Sequence, residues 1–236
     1  MLPAIILAGG LGTRLRTVVS EIPKPMAPVC GKPFLHYLFQ YLKKQAISEV
    51  ILSVGYKAEL IQEYFRESYL DIAIRYAIEQ EPLGTGGGIK QAMLVANSDA
   101  YILNGDTFFD VNLTTLHTCF TDRKASIALS LKHMEHFDRY GTVEIDNQNH
   151  VLQFHEKRYQ DSGLINGGVY ILSKNIFSSV EALEQKTLPD KFSFEKEVLE
   201  KHLNNMPYYA TVFNSYFIDI GIPEDYHRAQ IDFLKN

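Results

Sequence analysis

The chain has 236 residues, 46% of them hydrophobic and 22% charged, a balance suited to one soluble globular domain with a sizeable core. Its net charge of −5 excludes general nucleic-acid binding, which needs clustered positive charge. No apolar run approaches the ~20 residues that span a bilayer, so no membrane segment is expected. Charge is unevenly spread. Up to Pro33, Arg14, Arg16, Lys24 and Lys32 stand against Glu21 alone, giving +3 and leaving −8 for the rest. A basic opening on an acidic chain suggests a confined anion site. Cys30 and Cys119 form no CxxC pair, which fits a reducing cytoplasm.

In chain order, Pro3 to Ala8 is a continuous apolar run, as expected of a strand covered on both faces. It lacks the basic flank of a secretory signal. A Gly-rich loop from Gly9 to Arg16 follows. Phe34, Leu35, Leu38, Tyr41 and Leu42 recur at helical spacing. Val50 to Val54 predicts a second strand, Ala58 to Phe65 a helix, and Ile72 to Ile78 a third strand. Pro82 to Gly88 is expected to be a loop leading into a helix around Ile89 to Ala96. Ala100 to Leu103 predicts a strand that ends at Asn104-Gly105-Asp106. This alternation implies an α/β fold, Rossmann-like, with a mixed, mostly parallel central sheet and helices on both faces.

Beyond residue 124 strands come faster: Ala125 to Leu131, Gly141 to Ile145, Val151 to His155 and Gly168 to Leu172. Helices are expected near Phe194 to His202 and Glu224 to Leu234. The chain reads as one domain, 1–236, in two halves that divide at about residue 124.

The strongest local signal runs from Leu7 through Gly9, Gly10, Gly12 and Thr13 to Arg14, directly after the first strand. Glycines let backbone N–H groups approach an anion, and Arg14 adds a forked cation suited to phosphate. A dinucleotide fingerprint would need a third glycine where Leu15 stands, and no Gly-Lys-Ser/Thr is present for a P-loop. In Pro23-Lys24-Pro25 two prolines fix the backbone around one lysine.

These segments resemble the signature of sugar-1-phosphate nucleotidyltransferases. The resemblance continues in order through Gly31-Lys32-Pro33, Pro82-Leu83-Gly84-Thr85, Asn104-Gly105-Asp106, Glu156-Lys157, Asn166-Gly167-Gly168 and Phe217-Ile218-Asp219-Ile220-Gly221. Within that family, the short chain and the Gly84–Gly88 segment look most like the GDP-heptose-forming guanylyltransferases. The resemblance implies a nucleoside triphosphate and a sugar 1-phosphate as substrates, with Mg²⁺ as cofactor. Leu7, Gly9, Gly10, Gly12, Thr13, Glu79, Gly84 and Thr85 would bind the nucleotide. Arg14 would meet the departing pyrophosphate, Lys24 the α-phosphate, and Asp106 and Asp219 the metal. Arg14, Lys24 and Asp106 would be catalytic. Gly141, Glu156, Lys157, Asn166 and Gly167 would hold the sugar phosphate.

Glu79 favours GTP, because a carboxylate can accept from both N1–H and N2–H₂ of guanine. Mannose or glucose 1-phosphate and other triphosphates remain alternatives to a heptose phosphate and GTP. A catalytically silent ligand-binding or scaffolding domain is the alternative of another class. A homo-oligomer is compatible with the sequence.

Overall fold

The computed structural model describes residues 2–10 and 22–234. Its strands are β1 (Ala4–Leu7), β2 (Pro28–Val29), β3 (Lys32–Pro33), β4 (Glu49–Val54), β5 (Ser68–Tyr69), β6 (Ile72–Ile78), β7 (Ala100–Asn104) and β8 (Thr107–Phe109). They continue with β9 (Ile127–Phe137), β10 (Val143–Ile145), β11 (Val151–Phe154), β12 (Gln160–Leu172), β13 (Tyr208–Phe213) and β14 (Phe217–Asp219). The helices are α1 (Phe34–Lys44), α2 (Ala58–Phe65), α3 (Gly84–Ala96), α4 (Leu113–Asp122), α5 (Ile176–Glu184) and α6 (Pro223–Asp232), with a π-helix at Glu195–Glu200.

One sheet carries the fold, in the order β13-β9-β12-β7-β1-β4-β6-β5. β7, β1, β4 and β6 run parallel, and the apolar runs of the central strands β1, β4 and β7 fit their burial on both faces. β12 enters antiparallel between β7 and β9, and β13 lies parallel to β9. The mixed, mostly parallel sheet expected from the sequence is therefore present. Alternate residues of β1 separate into two cores. Ala4 and Ile6 pack with α1, α2, α4 and α6, while Ile5 faces α3, α5 and the π-helix. Helices cover both faces.

The chain order sets where a ligand can sit. From β1 the chain moves outward to β4 and β6, then returns to the opposite side of β1 as β7. This reversal opens a crevice at the carboxyl ends of β1 and β7, where Gly9-Gly10 and Asn104-Gly105-Asp106 emerge. Gly105 N–H donates to the Leu7 carbonyl at 3.0 Å, tying the two loops together. A Cβ on Gly105 would lie 2.4 Å from that same oxygen.

Beneath α5, Glu184 gathers three cationic or potentially cationic groups: Lys201 at 2.5 Å, His202 at 3.0 Å and Lys186 at 3.1 Å. These contacts, Lys201 foremost, hold its carboxyl at about 2, below its ordinary 4.5. A depressed carboxyl contributes stability that is present above its ordinary value and is lost as pH falls through the folded one. We expect Glu184→Gln to lower the thermal midpoint at pH 7. The gap from wild type should close as pH falls from about 4.5 towards about 2, and thermal melts across that range check this.

Candidate active site

Asp106 and Asp219 are far apart in sequence, and strand register brings them together. β8 pairs antiparallel with β14, placing Asp219 opposite Thr107. The Ile220 N–H adds a bond to the Asp106 carbonyl at 3.0 Å. Two carboxylates held this close need a cation between them, and Lys24 supplies one. Its ammonium donates to Asp106 Oδ2 and lies 3.7 Å from Asp219 Oδ1. Pro23 and Pro25 frame a single 3₁₀ turn at Lys24–Met26, closed by Met26 N–H to the Pro23 carbonyl at 2.8 Å. That turn buries Lys24 to 9% exposure. The resemblance places Lys24 near a phosphate; in the structure it is first the counter-ion of the two aspartates.

Asp219 is anchored on both oxygens. Oδ1 accepts from Gly221 N–H at 2.7 Å, and Oδ2 accepts from the Tyr140 hydroxyl at 3.4 Å. Burial, with the Asp219 carboxylate second, pushes the Tyr140 phenol well above its usual range, so it remains a donor. A Cβ at Gly221 would lie 2.9 Å from the Lys24 ammonium, so glycine keeps this corner open. Among the described residues no group of three or more His, Cys, Asp or Glu could cage a metal. The aspartate pair nevertheless suits Mg²⁺, which takes one or two carboxylates and completes its shell with phosphate oxygens and water. Asp106, 36% exposed, is accessible to such an ion.

Gly9 and Gly10 follow β1 as expected, whereas Gly12, Thr13 and Arg14 lie outside the described residues. Glu79 sits directly against Gly9, where a Cβ would come within 2.5 Å of its Oε1. The same oxygen accepts from Ser53 Oγ at 3.2 Å, and Oε2 accepts from Leu83 N–H at 3.1 Å. Glu79 therefore braces the glycine loop against the start of α3, and its carboxylate retains acceptor capacity beyond these two bonds.

The Gly84–Gly88 segment differs most from its sequence reading. It is the first turn of α3 and not a loop. Its glycines admit the chain at 190–195, which lies across the helix. A Cβ on Gly84 would meet the Phe192 carbonyl at 2.6 Å, one on Gly86 the Phe192 ring at 2.2 Å, and one on Gly87 the Asp190 carbonyl at 2.1 Å. Thr85 completes the junction. Its hydroxyl donates to Glu195 Oε2 at 2.7 Å and accepts from Phe194 N–H at 2.9 Å. Thr85 thus fastens the start of α3 to the chain at residues 194–195.

A cavity of about 470 Å³ opens beside the aspartate pair. Gly141, Glu156, Lys157, Asn166 and Gly167 all line it, together with Asp106 and Asp219. Gly141 lets the chain pass close to the His155 carbonyl, 2.3 Å from where a Cβ would stand. Asn166 occupies a bulge between β12 and β9; Oδ1 accepts from Gly168 N–H at 3.0 Å and Nδ2 donates to Tyr170 at 2.7 Å. Sequence reasoning missed one whole wall, formed by Glu195, Lys196, Leu199 and Glu200. Its only trace in the sequence is the apolar spacing of a helix carrying Glu and Lys between the core positions.

The sequence profile of the Nucleotidyl transferase family matches residues 3–236. The chain belongs to that family. It is 52% identical, over 97% of its length and 99% of the other's, to a D-glycero-alpha-D-manno-heptose 1-phosphate guanylyltransferase of Campylobacter jejuni. It is 53% identical to the enzyme of the same name from Aneurinibacillus thermoaerophilus, covering 96% of each chain. Among solved structures it resembles HddC from Yersinia pseudotuberculosis, with a TM-score of 0.87 and 40% identity over 99% of this chain and all of that one. That protein has also been crystallised with GMP-PN.

The close approach at α3 of this nucleotidyl transferase can be tested against helix propensity. Propensity alone favours Gly87→Ala by about 1 kcal/mol. The clash with the Asp190 carbonyl opposes it, at about 1–3 kcal/mol for overpacking of this kind. We expect the clash to win, and a lowered denaturation midpoint for Gly87→Ala would show it; a raised midpoint would mean that the strap yields.

Proposed function

We propose that this chain transfers a guanylyl group from GTP to D-glycero-D-manno-heptose 1-phosphate, releasing pyrophosphate and a GDP-heptose for surface-glycan synthesis. We place this reaction in the cytoplasm, with Mg²⁺ as cofactor; no helix among the described residues is long and apolar enough to cross a membrane. The observation that carries the reading is the convergence of Asp106, Asp219 and the five sugar-phosphate residues on one cavity. That cavity opens at the carboxyl end of β7, where Asn104 and Asp106 line it. The full-length relatives support the choice of base and sugar.

The chemistry needs no activated protein nucleophile, because a sugar phosphate is already an anion at neutral pH. One of its oxygens forms a bond to the α-phosphorus while the bond from that phosphorus to the bridging oxygen of pyrophosphate breaks, in line. The protein's task is to align two polyanions and offset the charge on the transferring group. Held by Asp106 and Asp219, Mg²⁺ would supply that offset at the phosphate oxygens. Lys24 would then turn from the aspartates towards the α-phosphate. Lys157 would hold the sugar phosphate and Glu156 a sugar hydroxyl. Glu79 would accept from guanine while bracing the Gly9 loop.

Pyrophosphate release, screened with four triphosphates against a panel of sugar 1-phosphates, tests the substrates. The highest kcat/KM is expected for GTP with the heptose phosphate, and a clear preference for another pair overturns the assignment. Lys24→Ala tests the mechanism. Loss of a preorganised charge predicts a fall in kcat of about 10²–10³-fold. Because a competing cation has left the aspartate pair, the Mg²⁺ concentration giving half-maximal activity should fall in the same variant. A metal titration checks this, and an unchanged kcat would remove Lys24 from the reaction.

A further inference from the structure

The wall of the cavity that the sequence did not disclose is the inner face of the π-helix. π-helical winding bonds i to i+5 and occurs most often at functional positions. Here it keeps Glu195 and Lys196 facing the same cavity as Leu199 and Glu200 one turn later. The winding is fixed from outside the helix. Glu195 Oε2 accepts from Thr85 and from Ser193 Oγ, both at 2.7 Å, and Ser193 Oγ accepts from Lys196 N–H at 3.3 Å. Leu199 is buried in the core behind the wall. One oxygen of Glu195 is therefore occupied and Leu199 is packed. Lys196 and Glu200 are the polar side chains left facing the cavity, and neither forms an ion pair among the described residues.

The charge of this wall restricts what can lie against it. Glu200 is close enough to Glu156 and Glu195 to feel both carboxylates, with Lys196 as a partial offset. Burial first, and the Glu156 charge second, raise the Glu200 carboxyl above its ordinary range. Three carboxylates against one ammonium repel a phosphate, so the sugar's phosphate must point away, towards Lys157 and Lys24. What faces Glu200 is then the neutral, hydroxyl-bearing part of the sugar, whose O–H groups need acceptors once removed from water. Glu156, Gly141 and Asn166 are already assigned to the sugar ring and its phosphate. The exocyclic chain remains.

We propose that Glu200, presented by the π-helix and supported by Lys196, accepts hydrogen bonds from the exocyclic diol of the sugar and thereby selects a heptose over a hexose 1-phosphate. The inference rests on the heptose reading of the same site. A hexose ends in one exocyclic hydroxyl, so it gives the carboxylate a single donor where a heptose gives two.

The test uses the full chain and pyrophosphate release with GTP, comparing D-glycero-D-manno-heptose 1-phosphate with mannose 1-phosphate. Glu200→Ala should lower kcat/KM for the heptose phosphate by about 10–100-fold, mainly through KM, as expected for lost hydrogen bonds to a charged acceptor. Mannose 1-phosphate should lose less than about threefold, and KM for GTP should stay unchanged. Glu200→Gln, which keeps one acceptor oxygen, should fall between wild type and alanine. Thermal melts of both variants check that the wall still folds. Equal losses on both sugars, or no loss on the heptose phosphate, overturn the proposal while leaving the functional reading standing. A wild-type protein that uses the heptose phosphate no better than mannose 1-phosphate overturns the functional reading, and the proposal with it.

Discussion

Everything at the reaction end of the site depends on Lys24 lying between Asp106 and Asp219. The carboxylates are forced together by β8–β14 pairing, which is a matter of backbone hydrogen bonds and has no regard for their repulsion. Without a cation that pairing would work against itself. The proline-framed turn delivers one at a fixed place, because neither neighbour of Lys24 has rotational freedom about φ. The same arrangement would suit the proposed Mg²⁺, which takes one or two carboxylates and shares phosphate oxygens. Gly221 and Gly105 then follow as necessities of close approach, one beside the ammonium and one beside the Leu7 carbonyl.

A second constraint joins the halves. α3 begins with glycines that carry no helix-forming advantage, and each costs about 1 kcal/mol against alanine in a helix interior. The space they leave is filled by Phe192 and the Asp190 carbonyl, so packing offsets what propensity loses. Through Thr85 and Glu195 this contact also sets the start of the π-helix, and hence one wall of the cavity beside the aspartate pair. Gly84 and Thr85, which read as nucleotide ligands in the sequence, thus also shape that cavity.

The central parallel strands were legible because burial on both faces leaves apolar runs in β1, β4 and β7; Ile72–Ile78, which alternates buried and exposed residues, also matches its expected bounds. α4 was not read. Its sequence LTTLHTCFTD is rich in Thr, a weak helix former, and it depends on the Asn112 side chain accepting from Thr115 N–H at 2.9 Å. β13 went unread for another reason: its alternating exposure carries no strong apolar run. In the site, Asp106, Asp219, Gly141, Glu156, Lys157, Asn166 and Gly167 were recognisable from motif order, and the structure gathers them at one cavity. The engagement of Lys24 and Thr85 was not, since each depends on a partner more than 80 residues away. A helix near Phe194 to His202 was legible, but its π-helical winding and its place in the cavity wall were not, because both depend on tertiary contacts.

The insertion of β12 between β7 and β9 has a consequence for how the polypeptide can be divided. A fragment ending near residue 124 would keep β7 but lose the strand that covers its outer edge, where Val169–Leu172 pair with Ala100–Leu103. That edge is almost wholly apolar and carries unpaired backbone donors and acceptors, a template for pairing with another copy. Pieces divided there are therefore poor units for separate expression: the first would recruit any available strand in place of the missing one, and would aggregate.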